Sequence, residues 1–197
     1  MKTFNYTLNQ KPIESIIDFS IFKNEKNLLI QIFCGEKKDI LEYILNVIAK
    51  ELPQAVCIGS STDGEINNSQ ITTLNTVITI SVFKETTLKI VSVDEIDSFS
   101  NGVKLAPLLC SEDTKLLITF TDGAKTNGEE FLNGVSSIND KMLVCGGMAG
   151  DNADFMQTFI SCQNKILTQG AVGVSLNSSS LKVCSAYNFN WSPIGIE

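Results

Sequence analysis

Two glycine-rich loops hold most of the side chains in this sequence that could do chemistry. Each loop follows a short apolar run and mixes glycines with hydroxyl or carboxylate side chains. Glycine permits positive φ angles and close approach to backbone N–H groups, and the polar side chains can bind a small molecule. We therefore predict a ligand site from both loops and from the Asp-Gly pair that ends another apolar run. The predicted ligand-binding residues are Gly59, Ser60, Ser61, Thr62, Asp63, Gly64, Glu65, Asp122, Gly123, Gly146, Gly147, Met148, Ala149, Gly150 and Asp151.

The missing residue types narrow the chemistry that these loops could perform. The chain contains no histidine and no arginine, and its 15 basic residues are all lysine. No Ser-His-Asp or Cys-His catalytic set can form within it, so an enzyme here would depend on a carboxylate base or a bound metal ion. We predict no catalytic residues, no metal site and no cofactor, and binding of a small ligand is the leading hypothesis.

An amino acid is a suitable ligand for such a pair of loops. Loop N–H groups would bind its carboxylate, and loop carboxylates would bind its ammonium group. The candidates are Lys125 for the carboxylate, Asp63, Asp122 and Asp151 for the ammonium, and Phe33, Phe120 and Met148 for closing the pocket. Two alternatives stay open. One is an enzyme that uses the loop Asp and Ser residues on a small substrate, and the other is a ligand-free docking module whose loops are only capped turns.

The composition indicates an ordered globular domain that binds neither nucleic acid nor membrane. Of the 197 residues, 43% are hydrophobic and 19% are charged, and the formal net charge is −7. An acidic chain without arginine disfavours nucleic acid and anionic lipid as partners. The chain has no signal-peptide apolar block, and its longest apolar runs are too short to span a bilayer. We expect a cytoplasmic domain without membrane insertion, whose six cysteines are reduced and mostly buried.

The order of apolar runs predicts an α/β fold. Residues 28–34 and 55–58 have the composition of buried strands, and residues 36–52 between them carry apolar side chains at helical spacing. Residues 77–83 and 88–93 alternate partly at period two around a polar turn, which predicts an antiparallel hairpin. Together these segments form a strand–helix–strand–hairpin unit.

The same order of segments recurs in the second half of the chain. The glycine spacing agrees within one residue, with 24 from Gly35 to Gly59 and 23 from Gly123 to Gly146. We interpret the chain as one domain built by internal duplication, with units at about 28–93 and 116–186 and the two long loops facing each other. We expect mixed parallel and antiparallel sheets with flanking helices. The repeated segments are 116–123, 128–138, 142–145, 171–176 and 181–185, and the added ones are a strand at 3–8, a helix at 12–21 and a hairpin over 155–162 and 166–176.

Four motifs in order along the chain resemble the FIST N-terminal domain family. Residues 56–66, Val-Cys-Ile-Gly-Ser-Ser-Thr-Asp-Gly-Glu-Ile, are similar to the family signature G-C-S-T-x-G-E-I, with Ser60 in place of its cysteine. Residues 144–151, Val-Cys-Gly-Gly-Met-Ala-Gly-Asp, are similar to the signature G-G-x-A-G-D. Residues 170–174 and 191–195 are similar to the later G-x-x-G-V and W-x-P-I-G blocks. The resemblance covers nearly the whole chain.

The resemblance implies an intracellular sensory domain of bacterial signalling proteins. Such a domain precedes a FIST C-terminal domain and is joined to a histidine kinase, a chemotaxis receptor or a diguanylate cyclase. Small molecules such as amino acids are the ligands proposed for the family. The resemblance also implies that the chain is the N-terminal half of a longer protein. Some relatives bind haem, but this chain has no histidine to ligate the iron, so we expect no haem here.

Overall fold

Two mixed β-sheets pack against each other in this computed structural model, which describes residues 1–186. Helices cover the outer faces of both sheets, so the predicted α/β class with mixed sheets and flanking helices is confirmed. The strands are β1 Lys2–Thr7, β2 Asn27–Cys34, β3 Val56–Ser61, β4 Glu65–Asn67, β5 Gln70–Thr72, β6 Thr76–Phe83, β7 Thr87–Val93, β8 Thr114–Thr121, β9 Val144–Met148, β10 Ile160–Cys162, β11 Lys165–Leu167 and β12 Ala171–Asn177. The helices are α1 Lys38–Glu51, α2 Ser98–Leu109 and α3 Gly128–Ile138.

The first sheet has the strand order β1-β6-β2-β3-β10-β11, and the second has the order β7-β12-β8-β9. The pairs β2–β3 and β8–β9 are parallel, and the other pairs in these sheets are antiparallel. A helix connects the two strands of each parallel pair, as a parallel crossover requires. Strands β4 and β5 form a separate two-stranded ribbon directly after β3.

Helix α1 forms because apolar residues recur on one side of it at helical spacing. Leu41, Ile44, Leu45 and Ile48 are buried against the first sheet, and the helix ends just before Pro53. On the other sheet, α2 and α3 approach so closely that a Cβ on Gly102 would lie 2.2 Å from the Phe131 carbonyl oxygen. Within residues 1–186 no helix is long and apolar enough to cross a membrane.

The predicted helix over residues 12–21 is wrong. The structure has two short 3-10 turns there, Ile13–Ser15 and Phe19–Phe22. Asp18 separates them, and its carboxylate accepts the backbone N–H of Ser20 at 3.0 Å. Such local side-chain bonds compete with the helical hydrogen-bond pattern, which explains why the segment does not continue as one helix.

Two of the three predicted antiparallel hairpins are also wrong. Residues 77–83 and 88–93 do form strands, but β6 lies in the first sheet and β7 in the second, so residues 84–86 carry the chain between sheets. Ile78 and Ile80 of β6 are buried on the α1 side of the first sheet, whereas Leu88 and Ile90 of β7 pack in the layer between the sheets, and alternation reports this burial rather than the pairing. Residues 181–185 form no strand beside 171–176, because β12 already pairs with β7 and β8 on its two edges. The predicted antiparallel hairpin around residues 163–165 is present as β10–β11, but each arm has only three residues, and residues 171–176 of the predicted second arm belong to β12 in the other sheet.

The two sheets repeat one arrangement of four strands. The set β1-β6-β2-β3 matches β7-β12-β8-β9 in both order and direction. In this comparison β7 occupies the place of β1, so it begins the second set and does not end the first. The one-residue difference in glycine spacing also has a cause, because Gly35 follows β2 directly, whereas Asp122 stands between β8 and Gly123. The duplication itself remains an interpretation of this shared arrangement.

Candidate functional site

The two glycine-rich loops touch each other directly at the carboxyl ends of β3 and β9. The Gly150 N–H donates to the Ser61 carbonyl oxygen at 2.9 Å, and the Ser61 hydroxyl donates to the Gly150 carbonyl oxygen at 2.6 Å. A Cβ on Gly150 would lie 2.6 Å from the carboxyl carbon of Asp63, so this contact requires glycine. The loop tips therefore leave no room between them, and the open space lies to either side.

The Asp122 carboxylate accepts hydrogen bonds from donors within the protein. It is fully buried and accepts the Lys125 N–H at 2.7 Å, the Thr126 hydroxyl at 2.5 Å and the Gly170 N–H at 2.9 Å. These bonds fasten the segment after β8 to the start of β12. The three donors satisfy this buried carboxylate with hydrogen bonds from the protein itself, which is a structural role.

Asp63 and Asp151 organise the contact between the loops. Oδ1 of Asp63 accepts the N–H groups of Asp151 at 2.9 Å and Ala153 at 3.3 Å. Asp151 accepts N–H groups from Met156 at 2.7 Å and from Phe155 at 3.1 Å. These backbone donors, the Met156 N–H first, hold the pKa of Asp151 below its usual value. A ligand-binding role for these aspartates stays a prediction.

A crevice of about 750 Å³ opens beside the joined loops. It lies over the carboxyl ends of β2 and β3 and the amino end of α1, where ligand sites of strand–helix folds gather. Most of the lining comes from the β2–α1 connection, the end of β3 and the connection from β9 to β10, and Gln10 and Leu74 come from two other loops. The lining residues are Gln10, Cys34, Gly35, Glu36, Lys37, Lys38, Ile40, Ser61, Thr62, Leu74, Asp151, Asn152, Asp154, Gln157 and Phe159.

The amino end of α1 brings two lysines to one side of the crevice. Lys37 and Lys38 are exposed there, and no side chain caps the helix at Lys37. The first N–H groups of a helix lack intrahelical acceptors and carry a partial positive charge. The ammonium group of Lys38 also lies 5.7 Å from the ring centre of Phe159, which belongs to the β9–β10 connection.

Carboxylates lie on and behind the same surface. Glu36 accepts the Thr76 hydroxyl at 2.7 Å. Glu65, only 1% exposed, accepts the Thr62 hydroxyl at 2.6 Å and lies directly behind Gly35, where a Cβ would come within 2.3 Å of its Oε1. The crevice therefore combines cationic and anionic groups within one opening.

Cys34 and Asn152 complete the floor and one wall of the crevice. Burial raises the pKa of the Cys34 thiol, whose Sγ lies 3.3 Å from the Thr76 hydroxyl oxygen. Asn152 donates from its side-chain amide to the Gly35 carbonyl oxygen at 2.8 Å. This bond ties the connection after β9 to the loop after β2, so the crevice is built jointly by the two halves of the chain.

A second, smaller cavity of about 250 Å³ lies between the two sheets. Phe33 and Phe120 meet edge to face across it, with ring centres 5.6 Å apart. Together with Met148 they line this cavity, so all three residues predicted to close a pocket are found here. Its lining contains no charged side chain, which suits an uncharged group better than an amino acid. The other lining residues are Gln31, Ser60, Thr62, Ile118, Cys145, Gly146 and Gly147.

The predicted site residues therefore divide among three places. Ser61, Thr62 and Asp151 line the crevice, and Ser60, Gly146, Gly147 and Met148 line the cavity between the sheets. Gly59, Ser60 and Ser61 belong to β3, and Gly146, Gly147 and Met148 belong to β9, so these residues are strand rather than loop. The remaining predicted residues line neither opening, and they are Gly59, Asp63, Gly64, Glu65, Asp122, Gly123, Ala149 and Gly150.

Several crevice residues were not predicted from the sequence. The pair Lys37-Lys38 follows Gly35 at the start of a predicted helix, and that position was a usable signal. Asn152, Gln157 and Phe159 carry no such signal, because their place depends on the path of the connection between β9 and β10.

The FIST N domain model matches residues 28–197. The chain belongs to the FIST N domain family. The family is one of sensory domains in signalling proteins, and the match confirms the family inferred from the sequence motifs. In this FIST N domain the match begins within β2, so it contains the β2–α1 loop and both glycine-rich segments but leaves out β1. The Trp191–Gly195 block lies outside the described residues. A search of the curated proteins found no match to the chain.

Proposed function

We propose that this FIST N domain is the ligand-binding unit of a signalling protein and that its crevice binds an amino acid or a similar small zwitterion. The observation that carries the proposal is the pairing of opposite charges within one crevice of about 750 Å³. Its volume lies in the range typical of small-molecule sites. A zwitterion needs a cationic and an anionic partner a few ångströms apart, and the crevice supplies both.

The carboxylate of the ligand would lie at the amino end of α1. The amino end of α1 and the ammonium groups of Lys37 and Lys38 favour an anion there, although the Asp39 carboxylate already accepts the Ile40 N–H at 3.1 Å. With no arginine in the chain, lysines and backbone N–H groups are the donors that remain for a carboxylate.

The ammonium group of the ligand would contact the acidic residues that line the crevice. Glu36 lies next to the lysine pair in sequence and is oriented by the Thr76 hydroxyl. Asp154 lines the opposite connection and is exposed. The side chain of the ligand would pack against Phe159 and Leu74, which are apolar lining residues.

This assignment differs from the sequence-based one in its ionic partners. Asp63 and Asp122 are engaged by backbone N–H groups, and Lys125 approaches the side-chain oxygen of Gln169 at 3.5 Å outside the crevice lining. We propose that the lysine pair and Glu36 take these roles. No cofactor enters the proposal. The output partner would be a histidine kinase, a chemotaxis receptor or a diguanylate cyclase in the cytoplasm, as the resemblance implies.

Calorimetric titration of the 197-residue chain with single amino acids tests the proposal. A ligand at 100 times its Kd adds about 2.7 kcal/mol to the free energy of unfolding, which a thermal-shift screen detects first. In a chain with Lys37→Gln and Lys38→Gln we expect at least tenfold weaker binding, and Glu36→Gln should weaken binding similarly. The matched control is Lys26→Gln with Lys141→Gln, two exposed lysines outside the crevice.

Two results would contradict the proposal. One is the absence of any binding amino acid in the screen. The other is an amino acid whose Kd is unchanged in both the lysine and the Glu36 variants, because such a ligand would occupy another site.

A further inference from the structure

Glu65 is a buried carboxylate for which the chain provides no cationic partner. It is 1% exposed, and it accepts the Thr62 hydroxyl at 2.6 Å and the Thr72 hydroxyl at 3.3 Å. No basic group within residues 1–186 forms an ion pair with it, and residues 187–197 contain neither lysine nor arginine. A buried charge is costly unless a group of opposite charge compensates it. Any cation that compensates Glu65 therefore has to come from outside these 197 residues.

The Glu65 carboxylate lies directly beneath the floor of the crevice. Thr62 and Gly35 both line the crevice. Thr62 donates to Oε1 of Glu65, and a Cβ at position 35 would overlap the same oxygen, so position 35 has no room for a side chain. Burial raises the pKa of the neighbouring Cys34 thiol, and the negative charges of Glu36 and Glu65 act in the same direction. The charge of Glu65 therefore acts at the floor of the crevice.

The charges around the crevice are unbalanced in favour of anions. None of the charged residues that line it forms an ion pair within residues 1–186. With Glu65 beneath the floor, four carboxylates stand against two ammonium groups, which leaves an excess of two negative charges. A ligand with no net charge leaves this excess unchanged, whereas a ligand with one additional positive charge reduces it. The carboxylates are Glu36, Glu65, Asp151 and Asp154, and the ammonium groups are those of Lys37 and Lys38.

Building on the proposed function, we infer that the crevice selects an amino acid with a basic side chain and that Glu65 determines this specificity. The ligand carboxylate lies at Lys37 and Lys38, as described above for a zwitterion. The side-chain cation lies over Gly35, where Glu36 contacts it and Glu65 attracts it through the floor.

Glu65 acts on the ligand without touching it, because its carboxylate is covered by the floor of the crevice. Coulomb interactions fall slowly with distance, and buried charges are screened much less than exposed ones. Neutralising one carboxylate just below the floor should therefore change the affinity for a cation by about tenfold. A neutral side chain gains nothing from this charge, so the effect separates basic ligands from neutral ligands of the same shape.

Titration calorimetry of the 197-residue chain with matched pairs of amino acids tests the ligand class. Norleucine has the side-chain carbons of lysine without the terminal ammonium group, and citrulline is the neutral counterpart of arginine. We expect lysine or arginine to bind at least about tenfold more tightly than its neutral counterpart, and glutamate to bind more weakly than either. Equal affinities within both pairs overturn this inference and leave the proposed function standing, whereas the absence of any binding amino acid removes both.

Glu65→Gln tests the residue, because it removes the charge and keeps the shape of the side chain. In this variant the preference for the basic amino acid over its neutral counterpart should fall about tenfold, through weaker binding of the basic one. A purely structural role of Glu65 would weaken both ligands equally. That result overturns the assignment of Glu65, and so does an unchanged preference.

Two further variants separate the charge of Glu65 from its packing. Asp122→Asn is the matched control, because Asp122 is equally buried but lies outside the crevice lining, and it should leave the preference unchanged. Glu65→Asp keeps the charge and should retain the preference even where Glu65→Gln does not fold. Circular dichroism checks that each variant is folded. Loss of the preference in a folded Glu65→Asp or Asp122→Asn variant contradicts a specific effect of the Glu65 charge.

Discussion

Ser61 and Gly150 exchange two hydrogen bonds, each donating to the carbonyl oxygen of the other, through the Ser61 hydroxyl and the Gly150 N–H. The Ser61 hydroxyl oxygen also accepts the Phe159 N–H at 2.9 Å. One small side chain thus joins the end of β3 to both ends of the connection that follows β9. The crevice depends on this junction, because its walls come from both sides of it.

Gly150→Ala should destabilise the fold by about 1–3 kcal/mol, because its Cβ would overlap Asp63, with the carboxyl carbon at 2.6 Å and the backbone nitrogen at 2.7 Å. Urea denaturation at low protein concentration measures the loss. Gly147→Ala is the matched control, because its Cβ meets no atom within 4 Å, and it should change the free energy of unfolding by less than about 0.5 kcal/mol. Equal effects from the two substitutions would contradict the loop contact described above.

Ser61→Ala should cost about 1–3 kcal/mol, because it leaves the Phe159 N–H and the Gly150 carbonyl oxygen without their side-chain partner in a buried place. Ser161→Ala is the natural comparison. Ser161 is fully buried on the neighbouring strand β10, and its hydroxyl has no partner among the described residues. Removing that hydroxyl should leave stability unchanged or raise it slightly. Thermal denaturation of both variants checks the contrast, and a larger loss for Ser161→Ala would refute it.

Asp151→Asn should destabilise the protein at neutral pH and matter less in acid. The native pKa of Asp151 is lowered, first by the Met156 N–H, so the unfolded chain binds more protons at this group than the native chain does. The contribution is therefore complete above the usual aspartate pKa and is lost as pH falls through the lowered native value. Unfolding measured from pH 7 downward should show the difference between wild type and variant shrinking below about pH 4. A difference that grows in acid would reverse the assignment.

The six cysteines should divide by reactivity according to their burial. Cys145 and Cys184 are exposed and should react first with a thiol reagent at pH 8. Burial raises the pKa of Cys57 to about 12, so this thiol should react only after unfolding, and Cys34 should behave in the same way. Mass spectrometry of alkylated peptides over time gives the order. Early labelling of Cys57 would show that the first sheet opens in the native state.

The sequence predicts both strand–helix–strand crossovers because their signals are local. Apolar runs before Gly35 and Gly123 mark buried strands, and helical spacing marks α1 and α3. Strand pairing is a different matter, since alternation along β6 and β7 reports that each is buried without saying in which sheet it lies. Helix α2 gave no clear signal because Gly102 and Pro107 lower its helix propensity. Glycine is required at position 102 because α2 and α3 approach too closely there to leave room for a Cβ.

The candidate site was predicted only on the side that carries a motif. Ser61, Thr62 and Asp151 stand in glycine-rich strings, and all three line the crevice. Phe159 and Asn152 lie in an irregular connection whose path is set by where β10 pairs, which is a tertiary property. No spacing rule relates residues 117 positions apart, such as Gly35 and Asn152, that meet through one hydrogen bond.

Residues 149–159, which connect β9 to β10, lie in the second half of the sequence, but they make hydrogen bonds to residues of the first half. Asn152 holds it to Gly35, and Phe159 holds it to Ser61, while its far end continues into β10 on the edge of β3. It acts as a strap across the crevice with both ends fastened. Because the two ends of this connection lie in different sheets, a rotation of one sheet against the other would move it and change the width of the opening beneath it. If the crevice binds the ligand proposed above, its affinity and the orientation of the two sheets would be reciprocally linked, and occupancy could be transmitted through this connection.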